Sequence, residues 1–129
     1  MKTFIKCSVL SVALVWSASA YADGDATHGE VVFKQQCKVC HAIGAGAKAG
    51  VGPAQNGVFG AKAGSRPGFP YSTAMKEAGE KGTVWDAATL DKYLENPKGV
   101  VPGTKMAFPG LKSEKDRQDV IAYLKANPA

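Results

Sequence analysis

Cys37-Lys38-Val39-Cys40-His41 is the stretch on which the reading of this chain turns. Two cysteines separated by two residues, with histidine immediately after the second, have the spacing of a covalent haem c attachment site. Thiols so spaced can each form a thioether with one of the two vinyl groups on a porphyrin edge. The residue that follows then brings an imidazole beneath the iron as proximal ligand. A thioredoxin-type dithiol shares the Cys-x-x-Cys pattern, but it opens a helix after a strand, and no β-branched strand run precedes Cys37. Zinc asks for about four ligands. Beyond this motif the remaining Cys and His are Cys7 and His28, and Cys7 falls in a segment expected to be removed.

Residues 1–22 read as a secretory signal: Lys2 and Lys6 form a charged start, Cys7 to Trp16 is a short apolar stretch, and Ala20-Tyr21-Ala22 is a small-x-small cleavage site. The apolar stretch falls short of the roughly 20 residues a spanning helix needs, and nothing later could cross a bilayer. Cleavage leaves residues 23–129 as one domain of 129 − 22 = 107 residues. A chain of that size buries a limited core and gains from a staple; a tethered haem is such a staple, adding a large apolar disc. Export to the periplasm follows, where an unattached Cys-x-x-Cys would be the odder outcome. Removing Lys2 and Lys6 lowers the formal charge from +5 to +3. A weakly basic protein without a clustered basic footprint points to acidic protein partners and away from nucleic acid.

The chain shows no repeat, linker or long charge run, and no period-2 stretch of useful length, which predicts an all-α fold with almost no sheet. A first helix capped by Asp25 is expected to run to about Val39, with Gly29 and Phe33 one turn apart. The Gly/Ala-rich stretch from Ala42 to Ser65 is expected as loop. Gly44-x-Gly46 within it lacks the strand and helix that a dinucleotide fingerprint requires. A short helix is expected over 72–78. Thr83-Val84-Trp85-Asp86 resembles a capping box before a helix that Pro97 stops. Ser113-Glu114-Lys115-Asp116 starts a last helix, whose apolar face is Val120, Ile121, Tyr123 and Leu124.

The second axial position decides the chemistry. A sulfur ligand closes the iron and suits electron transfer, whereas an open position permits chemistry on a small molecule. Met106 is the best candidate, because Pro102-Gly103-Thr104-Lys105-Met106 shapes a loop and lies 106 − 41 = 65 residues beyond His41, enough chain to reach round. Met106 as a simple apolar filler is the bland reading. Met75, in an expected helix, fits core packing better, and His28 fits a surface position.

Set in order, these residues make a pattern more specific than the attachment motif alone: Gly29, Phe33, the motif itself, Gly52-Pro53, Val58-Phe59-Gly60, Pro67-Gly68-Phe69, Tyr71, Trp85, Tyr93-Leu94-Glu95-Asn96-Pro97, Pro102 to Phe108, and Ile121-Ala122-Tyr123-Leu124. The chain resembles the class I c-type cytochromes, in the group of cytochrome c2 and mitochondrial cytochrome c. The resemblance implies the small cytochrome c fold, three to five helices round one haem c bound through Cys37 and Cys40, with His41 and Met106 as iron ligands. It implies that the Pro53 carbonyl accepts a hydrogen bond from the far nitrogen of His41, orienting the ring and raising its basicity. It further implies that Tyr93 donates to the Met106 sulfur, that Tyr71 and Trp85 hold a haem propionate, and that Thr104 and Phe108 also face the cofactor. Gly29 then allows the first and last helices to cross closely.

Four departures stand out. Ala61 follows Phe59-Gly60 where the family often has Arg, leaving Arg66 nearby. Gln55 replaces a common Leu after Gly-Pro, giving a wetter proximal wall. Met75 stands where many relatives carry Asn. Three extra residues separate Tyr71 from Trp85 relative to the mitochondrial form.

The function so implied is that of a monomeric soluble one-electron carrier without bond chemistry of its own. Its expected partners are redox proteins: a quinol:cytochrome c reductase, a terminal oxidase, a photosynthetic reaction centre or a periplasmic dehydrogenase. Lys38, Lys98, Lys105 and Lys112 are candidates for steering them. A small peroxidase-like enzyme or a haem ligand sensor is the alternative. Either needs an open sixth site, and no distal His or Arg stands in a suitable context.

Overall fold

In the computed structural model, residues 23–129 are described, and the expected signal segment 1–22 lies outside them. Five helices follow in order: α1 (Ala26–Gln36), α2 (Thr73–Glu80), α3 (Ala87–Glu95), α4 (Pro97–Val100) and α5 (Glu114–Lys125). Among the described residues the only β pairing is an isolated bridge between Lys62 and Val84.

Asp25 starts α1 as expected, its carboxylate accepting from the N–H groups of Thr27 at 2.8 Å and His28 at 3.3 Å. The helix stops at Gln36, short of the expected Val39. The N–H groups of Cys37 and Lys38 both return to the Phe33 carbonyl, and those of Cys40 and His41 both return to Cys37. The backbone thus tightens into turns just where the attachment motif lies, and Val39 is left 85% exposed.

The α1–α5 crossing organises the molecule. Gly29 is buried, and a Cβ there would lie 1.9 Å from the Asp119 carbonyl oxygen. Only hydrogen at that position lets the two backbones approach so closely. Phe33 meets Tyr123 across the crossing with ring centroids 5.6 Å apart, and Val32, Phe33, Val120 and Leu124 are all buried.

Two buried charges lock α5 to its neighbours. The Asp119 carboxylate accepts from Asp25 N–H at 2.8 Å, pairs with His28 Nδ1 at 2.7 Å and accepts from Lys115. Arg117 donates from Nε to Asp91 of α3 at 2.7 Å and from Nη1 to the carbonyls of Leu111 at 2.9 Å and Lys112 at 3.1 Å. Buried charges are tolerable when each is paired and hydrogen-bonded in this way.

Two helix starts differ from expectation. Asp86 caps α3, accepting from Thr89 N–H at 2.8 Å, whereas Thr83 lies in extended chain. That chain is pinned by Ala63 N–H to Thr83 O, Trp85 N–H to Ala61 O and Gly60 N–H to Trp85 O, each at 2.9 Å. Pro97 ends α3 as expected but also opens α4, with Asn96 as its cap; proline suits a first helical position because its missing N–H has no partner to lose there. Ser72 caps α2, which runs two residues past the expected end at Ala78.

Candidate haem site

The two turns after α1, the loop after Gly50, helix α3 and the chain after α4 enclose one cavity of about 330 Å³. Cys37, Cys40 and His41 line it from the attachment segment, and Pro53 from the following loop. Tyr71, Trp85 and Tyr93 line it from the middle of the chain. Thr104, Met106 and Phe108 line it from the segment between α4 and α5. All ten residues expected at the site from sequence thus meet in one space, drawn from positions as far apart as Cys37 and Phe108.

His41 is held at its outer nitrogen. Its Nδ1 lies 2.8 Å from the Pro53 carbonyl oxygen, and an N–H donated there leaves Nε2 free with its lone pair. Burial pushes the imidazole below its ordinary value, against a smaller opposing effect of the Pro53 bond. The ring is therefore neutral at pH 7, the form that binds a metal. Gly52 makes room for it: a Cβ there would lie 2.4 Å from His41 Cε1.

The cysteines do not resemble a redox dithiol. Burial, helped by the proximity of Cys40, pushes the Cys37 thiol up to about 11. The attacking thiol of a thioredoxin-type pair is lowered instead. Both cysteines are half-buried.

The Met106 thioether is held by a side chain of α3 and by its own loop. Tyr93 Oη donates to Met106 Sδ at 3.3 Å and shares a second contact with Thr104 Oγ1, also at 3.3 Å. Thr104 Oγ1 in turn accepts from Met106 N–H at 3.3 Å. Burial raises the Tyr93 phenol, outweighing the Thr104 contact, so it remains a proton donor at neutral pH. Met75 also lines the cavity and is buried; of these two described methionines, Met106 is the one whose sulfur is held by a donor. His28 is engaged with Asp119 and does not line the cavity.

The cytochrome c family model matches residues 26–128. The chain belongs to the cytochrome c family. It is 67% identical over 120 residues to cytochrome c2 of Rhodomicrobium vannielii, covering 93% of both chains. It is 55% identical over 97 residues to cytochrome c2 of Afifella marina, covering 75% of this chain and 77% of that one. The solved structure of cytochrome c2 from Rhodospirillum centenum superposes with a TM-score of 0.77 at 40% identity, covering 82% of this chain and all of the other.

Members of this family bind one covalent haem c, and the donor set here fits it: two thiols at the attachment spacing, a neutral imidazole and a thioether on one largely apolar cavity. Two further residues bear on the site in this member. The Gln55 amide contacts His41 Nδ1 at 2.8 Å, so the residue expected to wet the proximal wall touches the imidazole itself. Nothing in the sequence other than its place after Gly52-Pro53 could have pointed to it. Arg66 donates to the carbonyls of Asn56 and Gly57. Burial raises the Tyr71 phenol, while the nearby guanidinium opposes that rise.

Proposed function

We propose that the protein is an exported, soluble one-electron carrier that would hold one haem c through thioethers at Cys37 and Cys40, with His41 and Met106 as the residues that would bind its iron. When bound, the haem supplies an iron that alternates between Fe(III) and Fe(II). The residues of the chain then have four tasks. Pro53 fixes the direction and tautomer of His41. Tyr93 and Thr104 hold the Met106 thioether, so that little need move when an electron arrives. Apolar groups such as Phe33, Leu90 and Leu94 line the cavity; like thioether ligation, they disfavour the more positive oxidised state and raise the potential. Tyr71, Trp85 and Phe108 line the same cavity; the two polar side chains would offer O–H and N–H to a haem propionate, and the phenyl ring would cover apolar haem surface.

The observation that carries this reading is that an imidazole and a thioether, each fixed by its own hydrogen bond, line the same cavity as the attachment cysteines. An enzyme or a sensor needs an open iron, and an enzyme also needs acid–base groups beside it. Among the described residues, His41 is the only histidine lining the cavity. The partners are redox proteins of the periplasm or its membrane: a quinol:cytochrome c reductase, a terminal oxidase, a reaction centre or a periplasmic dehydrogenase. Lys38, Lys98, Lys105 and Lys112 are all exposed and supply positive charge for steering an acidic partner. No described helix is long and apolar enough to cross a membrane.

The test is the near-infrared spectrum of the ferric protein, where sulfur bound to ferric iron absorbs weakly, read for wild type and Met106→Ala. Carbon monoxide binding to the reduced forms is measured alongside. The expected result is a band in wild type that disappears in the variant, with carbon monoxide binding only after the thioether is removed. Ready carbon monoxide binding by wild type overturns the closed-carrier reading in favour of an open iron.

A further inference from the structure

The loop after Gly52 is laced to the attachment segment by backbone hydrogen bonds. Gly52 N–H donates to the Cys40 carbonyl and Gln55 N–H to the Ala42 carbonyl, both at 2.9 Å. Gly44 N–H donates to Asn56 Oδ1 at 3.1 Å. Gln55 is therefore carried on a backbone fixed relative to His41. Its Nε2 lies 2.8 Å from His41 Nδ1 and donates to the Pro53 carbonyl oxygen at 3.3 Å. The imidazole thus meets two polar groups at one nitrogen.

The atom of Gln55 assigned to the 2.8 Å contact is Nε2, a donor. An imidazole that binds iron through Nε2 carries its proton on Nδ1, and that N–H is also a donor. Two donors facing each other at this distance repel. The two ends of a glutamine amide are distinguished by their hydrogen-bond partners: turning the amide over gives up the 3.3 Å bond from Nε2 to the Pro53 carbonyl and brings Oε1 to the shorter 2.8 Å contact, where it faces a donor. Oε1 then accepts from the same N–H that reaches Pro53. We propose that Gln55 is a positioning residue for the proximal ligand: its amide oxygen shares the His41 Nδ1–H with the Pro53 carbonyl and thereby lowers the reduction potential of the bound haem.

The direction follows from charge. Two acceptors on one imidazole N–H draw its proton outward and leave more electron density on the ring. A more electron-rich ligand favours the oxidised iron over the reduced iron. An apolar side chain of similar length at position 55 leaves Pro53 as sole acceptor and shifts the balance towards the reduced state. A carboxylate there strengthens the acceptor and shifts the balance the other way.

This inference rests on His41 being a haem ligand, as proposed above. Gln55→Leu and Gln55→Glu are prepared as exported holoproteins beside wild type, and covalent haem is established for each by mass and absorption spectrum. Potentiometric titration then gives the potential, and proton NMR of the reduced protein gives the His41 Nδ1–H resonance. Gln55→Leu is expected to favour the reduced form by about threefold, which is roughly 28 mV positive at about 59 mV per decade for one electron, and to move the Nδ1–H resonance upfield. Gln55→Glu is expected to shift both in the opposite directions. A packing role alone would not give shifts of opposite sign. An unchanged or lowered potential in Gln55→Leu, with haem attached and the thioether bound, overturns the proposal. Failure of wild type to acquire haem would instead overturn the functional reading on which it rests.

Discussion

Replacing Gly29 with alanine should test whether the α1–α5 crossing sets the stability of the fold. The added Cβ would lie 1.9 Å from the Asp119 carbonyl oxygen, 2.5 Å from its carbon and 2.9 Å from Tyr123 Cβ. Ordinary contact begins near 3.4 Å, so the crossing must open by about 3.4 − 1.9 = 1.5 Å. The nearest opposing atoms are backbone, and no rotamer change relieves them. Overpacking of this kind costs about 1–3 kcal/mol. Opening the crossing also stretches the Asp119 bonds to Asp25 N–H at 2.8 Å and His28 at 2.7 Å, each worth about 1 kcal/mol. Alanine returns about 1 kcal/mol through helix propensity. The net expectation is a loss of roughly 3 kcal/mol, equivalent to about 10–20 °C in Tm for a domain of this size. Guanidinium titration of the haem-loaded protein, followed by far-ultraviolet circular dichroism, measures it. Gly50→Ala is the control, because its Cβ would meet nothing closer than Cys40 O at 3.9 Å, and it should stay within about 0.5 kcal/mol of wild type. If Gly29→Ala loses less than about 1 kcal/mol, the crossing tolerates a methyl group and the reasoning fails.

Three further outcomes are expected. Burial pushes the Asp119 carboxyl up, but hydrogen bonds from Lys115, Asp25 N–H and His28 outweigh burial and leave it below the ordinary range; its stabilisation is complete above about pH 4 and is lost as pH falls through the lower folded value. Asp119→Asn should cost about 3 kcal/mol at pH 7 and flatten the acid limb, as read by denaturant titrations at pH 7 and pH 3. Gly52→Ala must displace the His41 ring by about 3.4 − 2.4 = 1.0 Å, weakening the Pro53 bond; it should raise the potential and cost about 1–3 kcal/mol, and an unchanged potential would show that the ring tolerates the shift. Tyr93→Phe removes the donor to Met106 Sδ, worth about 1 kcal/mol, so added imidazole should displace the thioether about fivefold more readily in a spectroscopic titration.

What the sequence disclosed and what it hid divide by the range of the contacts involved. The attachment motif is legible because its chemistry is local: the spacing of two thiols and an imidazole is set by one porphyrin edge. The helix starts at Asp25 and Ser113 are local too, each side chain accepting an N–H within three residues. Thr83 and Asp86 show where local reading stops. Both carry a capping oxygen, and each has a polar residue three positions on, so the string favours neither. The decision is made by the bonds to Ala61 and Ala63, which hold 83–85 extended and delay the helix until Asp86. Arg117 and Asp119 follow Glu114, Lys115 and Asp116 closely in sequence, yet both are buried, because Asp91 on α3 and the start of α1 supply their partners.

The Ala61 departure follows the same logic in the opposite direction. Loss of an arginine directly after Phe59-Gly60 looks from sequence like the loss of a positive charge from the cavity rim. Gly60 and Gly64 both adopt positive φ, +80° and +67°, turns that an L side chain rarely makes. They fold the intervening loop back, so that the Arg66 guanidinium meets the carbonyls of Asn56 and Gly57. Its charge then lies close enough to Tyr71 to oppose the effect of burial on that phenol. Position 61 carries no charge, and the positive charge that acts on Tyr71 comes from a residue five places later, bonded to the carbonyls of Asn56 and Gly57.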